Sequence, residues 1–168
     1  MDTNIISEMF LKELESEEEA TRKCLERVPE SLYDYAPHEK SMKMSSLLTV
    51  VAEVPKWISI TLEKGEIDLA TWEKYKLTTS ADLLKYFNKN MELAKKSLKN
   101  VSDQELMEKM FYLKMNGKEL MNGRQDESVS SEIRHWVHHR GQLTVYMRLN
   151  DILVPSIYGP SADEKDFK

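Results

Sequence analysis

The chain has 168 residues, of which 40% are apolar and 32% are charged, as in an ordinary globular domain. Its formal net charge of −5 argues against a nucleic-acid-binding protein, because neutralising phosphates normally requires a basic face. The lone cysteine excludes an intrachain disulfide, and no apolar run is long enough to span a bilayer. We therefore expect a cytoplasmic protein with neither nucleic-acid nor membrane partners.

The first predicted helix runs from Thr3 to Val28, where apolar residues recur near helical spacing. Thr3 is the expected N-cap, and Pro29 ends the pattern. Cys24 lies within this helix between charged residues, and we expect a partly buried, inert thiol.

The second predicted helix follows a connector and has an unusually broad apolar surface, which indicates a central position. Ser41 is its expected cap, and the helix should run to about Lys64, with Gly65 as its stop. Pro55 inside the pattern predicts a kink.

The rest of the chain predicts two more helices and a hairpin. After a loop over residues 65–78, Ser80 is expected to cap a third amphipathic helix that ends near Asn100. An Asn-Gly pair at 116–117 indicates a small hairpin within residues 111–122. The last helix should span residues 127–149. We therefore predict a single all-α domain over residues 1–168, an antiparallel four-helix bundle with one long connection.

Three of the four histidines fall within five positions of the last helix. His135 and His139 are four residues apart, so they share a helix face and can converge on one metal ion. Gln142 and Tyr146 continue the same edge and would line a pocket beside them. His138 is offset by about 100° and is expected to point elsewhere. Because metal sites want at least three protein ligands, the pair requires a third donor from another helix.

Other residues near the histidines have structural explanations. Gly141 in mid-helix costs about 1 kcal/mol relative to alanine, so we predict a close approach by another helix. Trp57 and Trp136 are expected in the core or the pocket wall. Arg140 and Arg148 are expected in salt bridges or at a subunit interface.

Four motifs occur in order along most of the chain: PHEKSM at 37–42, LLTVVAEVPKWI at 47–58, HWVHHRGQLTVYMRLN at 135–150 and PSIYGPSAD at 155–163. In these motifs the sequence resembles the DinB superfamily of bacterial proteins. The resemblance implies a four-helix bundle, usually a homodimer. It also implies a divalent-metal site, often nickel or zinc, built from one histidine of the second helix and two of the last. Relatives include thiol-dependent transferases and isomerases.

Carried over to this sequence, the resemblance assigns two metal ligands to His135 and His139. The third ligand should lie in LLTVVAEVP, where relatives often read LATHIAEIP, and the corresponding residue here is Val50. Valine cannot coordinate a metal ion, so this sequence departs from the family pattern at that position.

Three explanations of this departure are open. In the first, the site has lost its metal and Val50 fills the space. In the second, Glu53, one turn away, supplies the third ligand. In the third, the two histidines bind metal weakly, and water or substrate completes the coordination shell. His38 is the remaining histidine, but PHEKSM also occurs in relatives with the full triad, so it does not indicate a rescue.

The leading functional prediction is a small-molecule-binding or accessory protein with a degenerate or altered metal site. Its pocket would include Val50, Glu53, Trp57, Gln142 and Tyr146. The alternative is a metal-dependent thiol transferase or hydrolase, in which Glu53 is the third ligand or the general base. DNA binding is suggested only by the damage-inducible name of the family, and the acidic balance argues against it.

Overall fold

The computed structural model describes residues 4–165, and within them the chain is mostly helical with one small sheet. The helices and strands in chain order are α1 Ile5–Arg27, α2 Met44–Glu63, β1 Glu66–Asp68, α3 Ser80–Asn100, α4 Asp103–Glu108, β2 Met110–Met115, β3 Lys118–Arg124 and α5 Gln125–Arg148. A single 3-10 turn, Glu30–Leu32, lies between α1 and α2. The helix α1 begins at Ile5, and the expected cap Thr3 lies outside the described residues.

The central helix is α2, as its broad apolar surface predicts. It is buried over most of its circumference, with α3 and α5 packed against it. The helix α3 turns a single apolar stripe toward the core, which includes the buried residues Leu83, Phe87, Met91, Ala94 and Leu98. The helix α1 packs against α3 and α5. Burial of these apolar faces is the main stabilising contribution to the fold.

The ends of α2 and α3 differ slightly from the predictions. The helix α2 begins at Met44, so Ser41 is not its cap, and the cap position Lys43 makes no side-chain capping bond. Gly65 does end the helix: its φ is +70°, and its N–H donates to the carbonyl oxygen of Ile60 at 3.1 Å. In α3 the cap is Thr79, one residue before the predicted Ser80.

The protein is mostly helical, as predicted, but it is not all-α, because the predicted hairpin is part of a three-stranded sheet in the order β1-β2-β3. The predicted hairpin is confirmed: β2 and β3 pair antiparallel through Asn116 and Gly117, whose φ angles are 52° and 74°. The strand β1 pairs parallel with β2, with Ile67 opposite Leu113, inside the stretch predicted to be a loop. A three-residue strand shows too little alternation to be recognised in sequence.

The short helix α4 was not predicted from the sequence. It begins with a capping box, in which Ser102 and Glu105 each bond to the other's backbone N–H. Its Asp103 carboxylate accepts from the backbone N–H groups of Ile6 and Ser7 at 3.0 Å. A side chain from α4 therefore caps the first turn of α1, where N–H groups lack partners within the helix.

Two further local predictions have different outcomes. The predicted close approach at Gly141 is wrong: the residue is exposed, and no described atom outside its own helix turn lies within 4 Å of the point that a β-carbon would occupy. Cys24 is fully buried, and burial raises the pKa of its thiol to about 11. This thiol is therefore inert at neutral pH, as predicted. Among the described helices, none is long and apolar enough to cross a membrane.

Candidate functional site

A cavity of about 860 Å³ lies between α2, α5, the sheet and the connector of residues 69–79 that joins β1 to α3. Its wall is mainly apolar, and the large apolar residues that line it are Val50, Trp57, Ile67, Leu69, Trp72, Tyr75, Leu77, Phe111, Leu113 and Met121. The polar and charged residues that line it are Ser45, Ser46, Thr49, Glu53, Lys74, Lys76, Ser128, Ser131, Glu132 and His135. A concave, mostly apolar site with a few polar groups is typical of a small-molecule pocket.

The sheet and the connector close the side of the cavity that helices alone would leave open. Lys114 donates to Glu66 across β1 and β2, and the Asp68 carboxylate accepts from the backbone N–H groups of Asn116 and Gly117 at the hairpin turn. These bonds hold β1 against the hairpin, so Ile67 and Leu113 are fixed in the cavity wall.

Val50 and Trp57, about two turns apart on the same face of α2, both line the cavity. Val50 is half-buried and packs against the hydrophobic core, so its methyl groups form part of the apolar wall. The ring of Trp57 stacks on His135, with centroids 5.4 Å apart and planes 29° apart. The edge of Trp72 approaches Trp57, with centroids at 6.4 Å.

His135 and His139 converge as the spacing predicts: their Nε2 atoms are 3.1 Å apart. His139 Nδ1 lies 2.8 Å from the Gln142 side-chain oxygen, which can only accept, so Nδ1 carries the proton. In a neutral His139, Nε2 is then the acceptor, and His135 Nε2 donates to it. Burial lowers the pKa of both rings. His139 and then His138 lower the pKa of His135 further, whereas the Gln142 hydrogen bond opposes the lowering in His139, so the net shifts favour the neutral form of both rings.

The Glu53 carboxylate, the candidate third ligand or base, already has two hydrogen-bond donors. Tyr86 donates from its hydroxyl to Oε1 at 2.6 Å, and Trp72 donates from its indole to Oε2 at 3.2 Å. Burial, followed by the Glu53 hydrogen bond, raises the pKa of Tyr86, which keeps its proton available for this bond. Glu53 therefore anchors the connector and α3 to the wall of the cavity.

The donor set does not fit a metal centre with three protein ligands. Within residues 4–165, no group of three or more His, Cys, Asp or Glu side chains is placed to hold one ion. His135 and His139 supply two imidazole nitrogens, and zinc sites require at least three protein ligands. The family resemblance assigns the third ligand to the position of Val50, whose side chain cannot coordinate an ion.

The other candidate residues lie outside the cavity wall. Gln142 is bonded to His139, on the far side of the histidine pair. The Tyr146 hydroxyl donates to the carbonyl oxygen of Met42 at 3.2 Å, and its ring meets Tyr35 edge-on. His38 is exposed in the connector before α2, where its Nδ1 accepts from the backbone N–H of Lys40 at 3.1 Å.

Glu132 is a buried polar residue in the wall of the cavity that was not predicted from the sequence. It lies one turn before His135 on the same face of α5, and this spacing was the available signal. The Thr61 hydroxyl donates to Glu132 Oε1 at 2.6 Å, and Gln125 Nε2 donates to the Thr61 carbonyl oxygen at 2.6 Å. Burial raises the pKa of Glu132 to about 8, against the weaker lowering by Thr61.

A family model described as the DinB family matches residues 1–166. The chain belongs to the DinB family. An uncharacterised protein of Bacillus subtilis, YrdA, is 30% identical over 159 residues, which cover 92% of this chain and 89% of the relative. Two solved structures have the same fold. A DinB-like protein of B. subtilis, YjoA, has a TM-score of 0.71 and 17% identity, and the match covers 94% of this chain and 99% of YjoA. A DinB-like protein of Bacillus cereus has a TM-score of 0.66 and 20% identity, and the match covers 90% of this chain and 97% of that protein.

Proposed function

We propose that this DinB-family protein binds an organic small molecule in the cavity between α2, α5 and the sheet, and that its metal site is degenerate. The observation that carries the proposal is the donor set around the cavity. Val50, to which the resemblance assigns the third metal ligand, offers no donor atom, and both oxygens of Glu53 already accept hydrogen bonds. The cavity of about 860 Å³ lies within the range of small-molecule sites, roughly 300–1,000 Å³.

The family resemblance supplies the finer parts of the proposal. It favours a bundle of four long helices, a homodimer, a cytoplasmic location and a thiol or other small molecule as ligand. The binding or accessory role follows from the loss of the third ligand at Val50.

The second candidate is a metal-dependent thiol transferase or hydrolase. One observation favours it: the Nε2 atoms of His135 and His139 face each other at 3.1 Å, a separation that lets two imidazoles share one ion. For this candidate, Glu53 would have to leave Tyr86 and Trp72 to complete the ligand set.

Metal retention separates the two candidates. Protein prepared without a histidine tag or chelator is incubated with nickel or zinc, desalted and measured by plasma mass spectrometry. Wild type should retain far less than one ion per chain, and Val50→His should retain about one. Val145→His adds an exposed histidine elsewhere on α5 and is the matched control. If wild type keeps about one ion per chain and His139→Ala loses it, the enzyme candidate replaces the proposal.

Uptake of an apolar probe tests the binding role directly. N-phenyl-1-naphthylamine should fluoresce strongly with wild type and saturate at one site per chain. Ser131→Trp places a large ring at a position that lines the cavity, so it should weaken this binding, whereas Ser130→Trp on the same helix should leave it unchanged because Ser130 does not line the cavity. Equal binding by the two variants would place the probe elsewhere on the protein.

A further inference from the structure

Glu132 has an unusual position in the cavity wall. Only 9% of the residue is exposed, and it belongs to the set that lines the cavity. Its Oε1 accepts from Thr61, but its buried Oε2 has no hydrogen-bond partner among the described residues. A buried polar atom without a partner is costly, and a ligand in the adjoining cavity is one group that can supply the missing hydrogen bond.

We propose that the cavity takes an uncharged, mainly apolar molecule with a carbonyl-type oxygen, and that this oxygen accepts a hydrogen bond from the Glu132 carboxyl group. The proposal rests on the small-molecule-binding role proposed above and names the chemical class of the ligand. It assigns Glu132 as a specificity-determining residue.

The direction of this hydrogen bond follows from the contacts of the carboxyl group. Thr61 donates to Oε1, so a proton on Glu132 belongs on Oε2, which becomes a donor. Burial keeps that proton in place at pH 7, because it raises the pKa of Glu132 to about 8. A ligand must then offer an acceptor at this point.

The charges around the cavity argue against a cationic ligand. Lys74 and Lys76 line it, and the Lys56 ammonium lies 4.6 Å from the ring centre of Trp72. The face of Trp72 that Lys56 occupies is therefore closed to a second cation. The Glu53 carboxylate, which would attract a cation, is already bonded to Tyr86 and Trp72.

The test compares two fluorescent probes of similar shape. Prodan is a naphthyl ketone whose emission moves to longer wavelength when its carbonyl accepts a hydrogen bond, and N-phenyl-1-naphthylamine has no carbonyl. Glu132→Met removes the donor. Glu132→Gln keeps one, since its amide oxygen can accept from Thr61 while its amide nitrogen donates toward the cavity. Glu127→Met and Glu127→Gln, at an exposed position of the same helix, are the matched controls.

We expect Glu132→Met to weaken prodan binding about tenfold, the equivalent of one buried hydrogen bond, and to move the bound emission to shorter wavelength. Glu132→Gln should stay within about twofold of wild type, as should both Glu127 variants. N-phenyl-1-naphthylamine should bind all five proteins equally, which also shows that the cavity is intact in each variant.

Other results overturn the proposal in distinguishable ways. One such result is that prodan binds wild type and Glu132→Met equally while the amine probe still binds. In that case the Glu132 carboxyl group donates its proton within the protein, for example to the Gln125 side-chain oxygen, which has no partner among the described residues. The small-molecule role then survives, but the proposed ligand class does not. If 1-naphthylmethylammonium binds wild type and Glu132→Gln abolishes that binding, the site recognises a cation instead. If folded wild type binds no probe at all, both the role and the ligand class fail.

Discussion

At the residue scale, Glu132 is the group whose charge state responds most directly to the fold. Its ordinary pKa of 4.5 rises to about 8 in the folded protein, because burial disfavours the carboxylate. The folded state therefore binds more protons than the unfolded chain between these two pH values. Stability contributed by the neutral acid is complete below about pH 4.5 and is lost as the pH rises to about 8.

This linkage predicts a pH-dependent difference between wild type and Glu132→Gln. The free energy of unfolding of wild type should fall relative to the variant by up to about 1.4 kcal/mol for each pH unit between about pH 4.5 and 8. Urea unfolding followed by circular dichroism from pH 4 to 9 measures it, with Glu127→Gln as the exposed control. A constant difference across the range would show that Glu132 titrates normally in the folded state.

Val50 shows at the same scale how far the sequence defines the candidate site. The expected loss of a metal ligand at Val50 comes from a resemblance over nine residues, LLTVVAEVP, whereas the convergence of His135 and His139 follows from helical spacing. The partners of Glu53 are not visible, since Tyr86 and Trp72 lie 33 and 19 residues away along the chain. Such contacts between distant parts of the chain decide whether the Glu53 carboxylate can bind a ligand or already accepts hydrogen bonds within the protein.

At the element scale, α2 tolerates a proline in its interior because a neighbouring helix replaces the missing donor. Pro55 has no N–H for the carbonyl oxygen of Val51, four residues earlier. The indole of Trp136 in α5 donates to this oxygen instead, at 2.8 Å. The indole bond therefore compensates for the proline and also links α2 to α5, the two helices that flank the cavity.

A double-mutant cycle on Pro55 and Trp136 tests this pairing. Trp136→Phe should destabilise the protein by about 2–4 kcal/mol, through lost packing and an unpaired buried carbonyl group. In a Pro55→Ala background the alanine N–H can donate to the Val51 carbonyl oxygen. Trp136→Phe should therefore destabilise this background by about 1 kcal/mol less than it destabilises wild type. Urea unfolding of the four proteins measures the coupling. Additive effects would mean that the indole bond does not compensate for the proline.

At the scale of the whole molecule, a buried ion pair joins the two ends of the chain. The Arg140 guanidinium, 2% exposed, pairs with Glu17 and donates to Thr21 at 3.2 Å, which links α5 to α1. It also donates to the Tyr158 hydroxyl at 2.8 Å, and Tyr158 donates to Glu17 at 2.9 Å. Residues 152–165 are thereby held against the helices, and Arg148 assists by pairing with Asp163.

Removing one member of this buried pair should be costly. Arg140→Met leaves the Glu17 carboxylate buried without its cation, and we expect a loss of about 3–5 kcal/mol. Arg148→Met breaks the more exposed pair with Asp163 and should cost less than about 1 kcal/mol. Adding Glu17→Gln to Arg140→Met should recover part of the loss. Equal losses for the two single variants, measured by thermal unfolding, would contradict a special role for the buried pair.

Local sequence patterns were enough to predict the four long helices to within a few residues at most ends, the Asn-Gly hairpin and the convergence of two histidines. Each of these depends on residues close together in the chain, where spacing, caps and turn propensities act directly. Four other features became visible in the folded protein alone: the pairing of β1 with β2, the capping of α1 by Asp103, the hydrogen bonds to Glu53 and the burial of Glu132. These depend on contacts between distant segments, whose energies no local pattern in the sequence records.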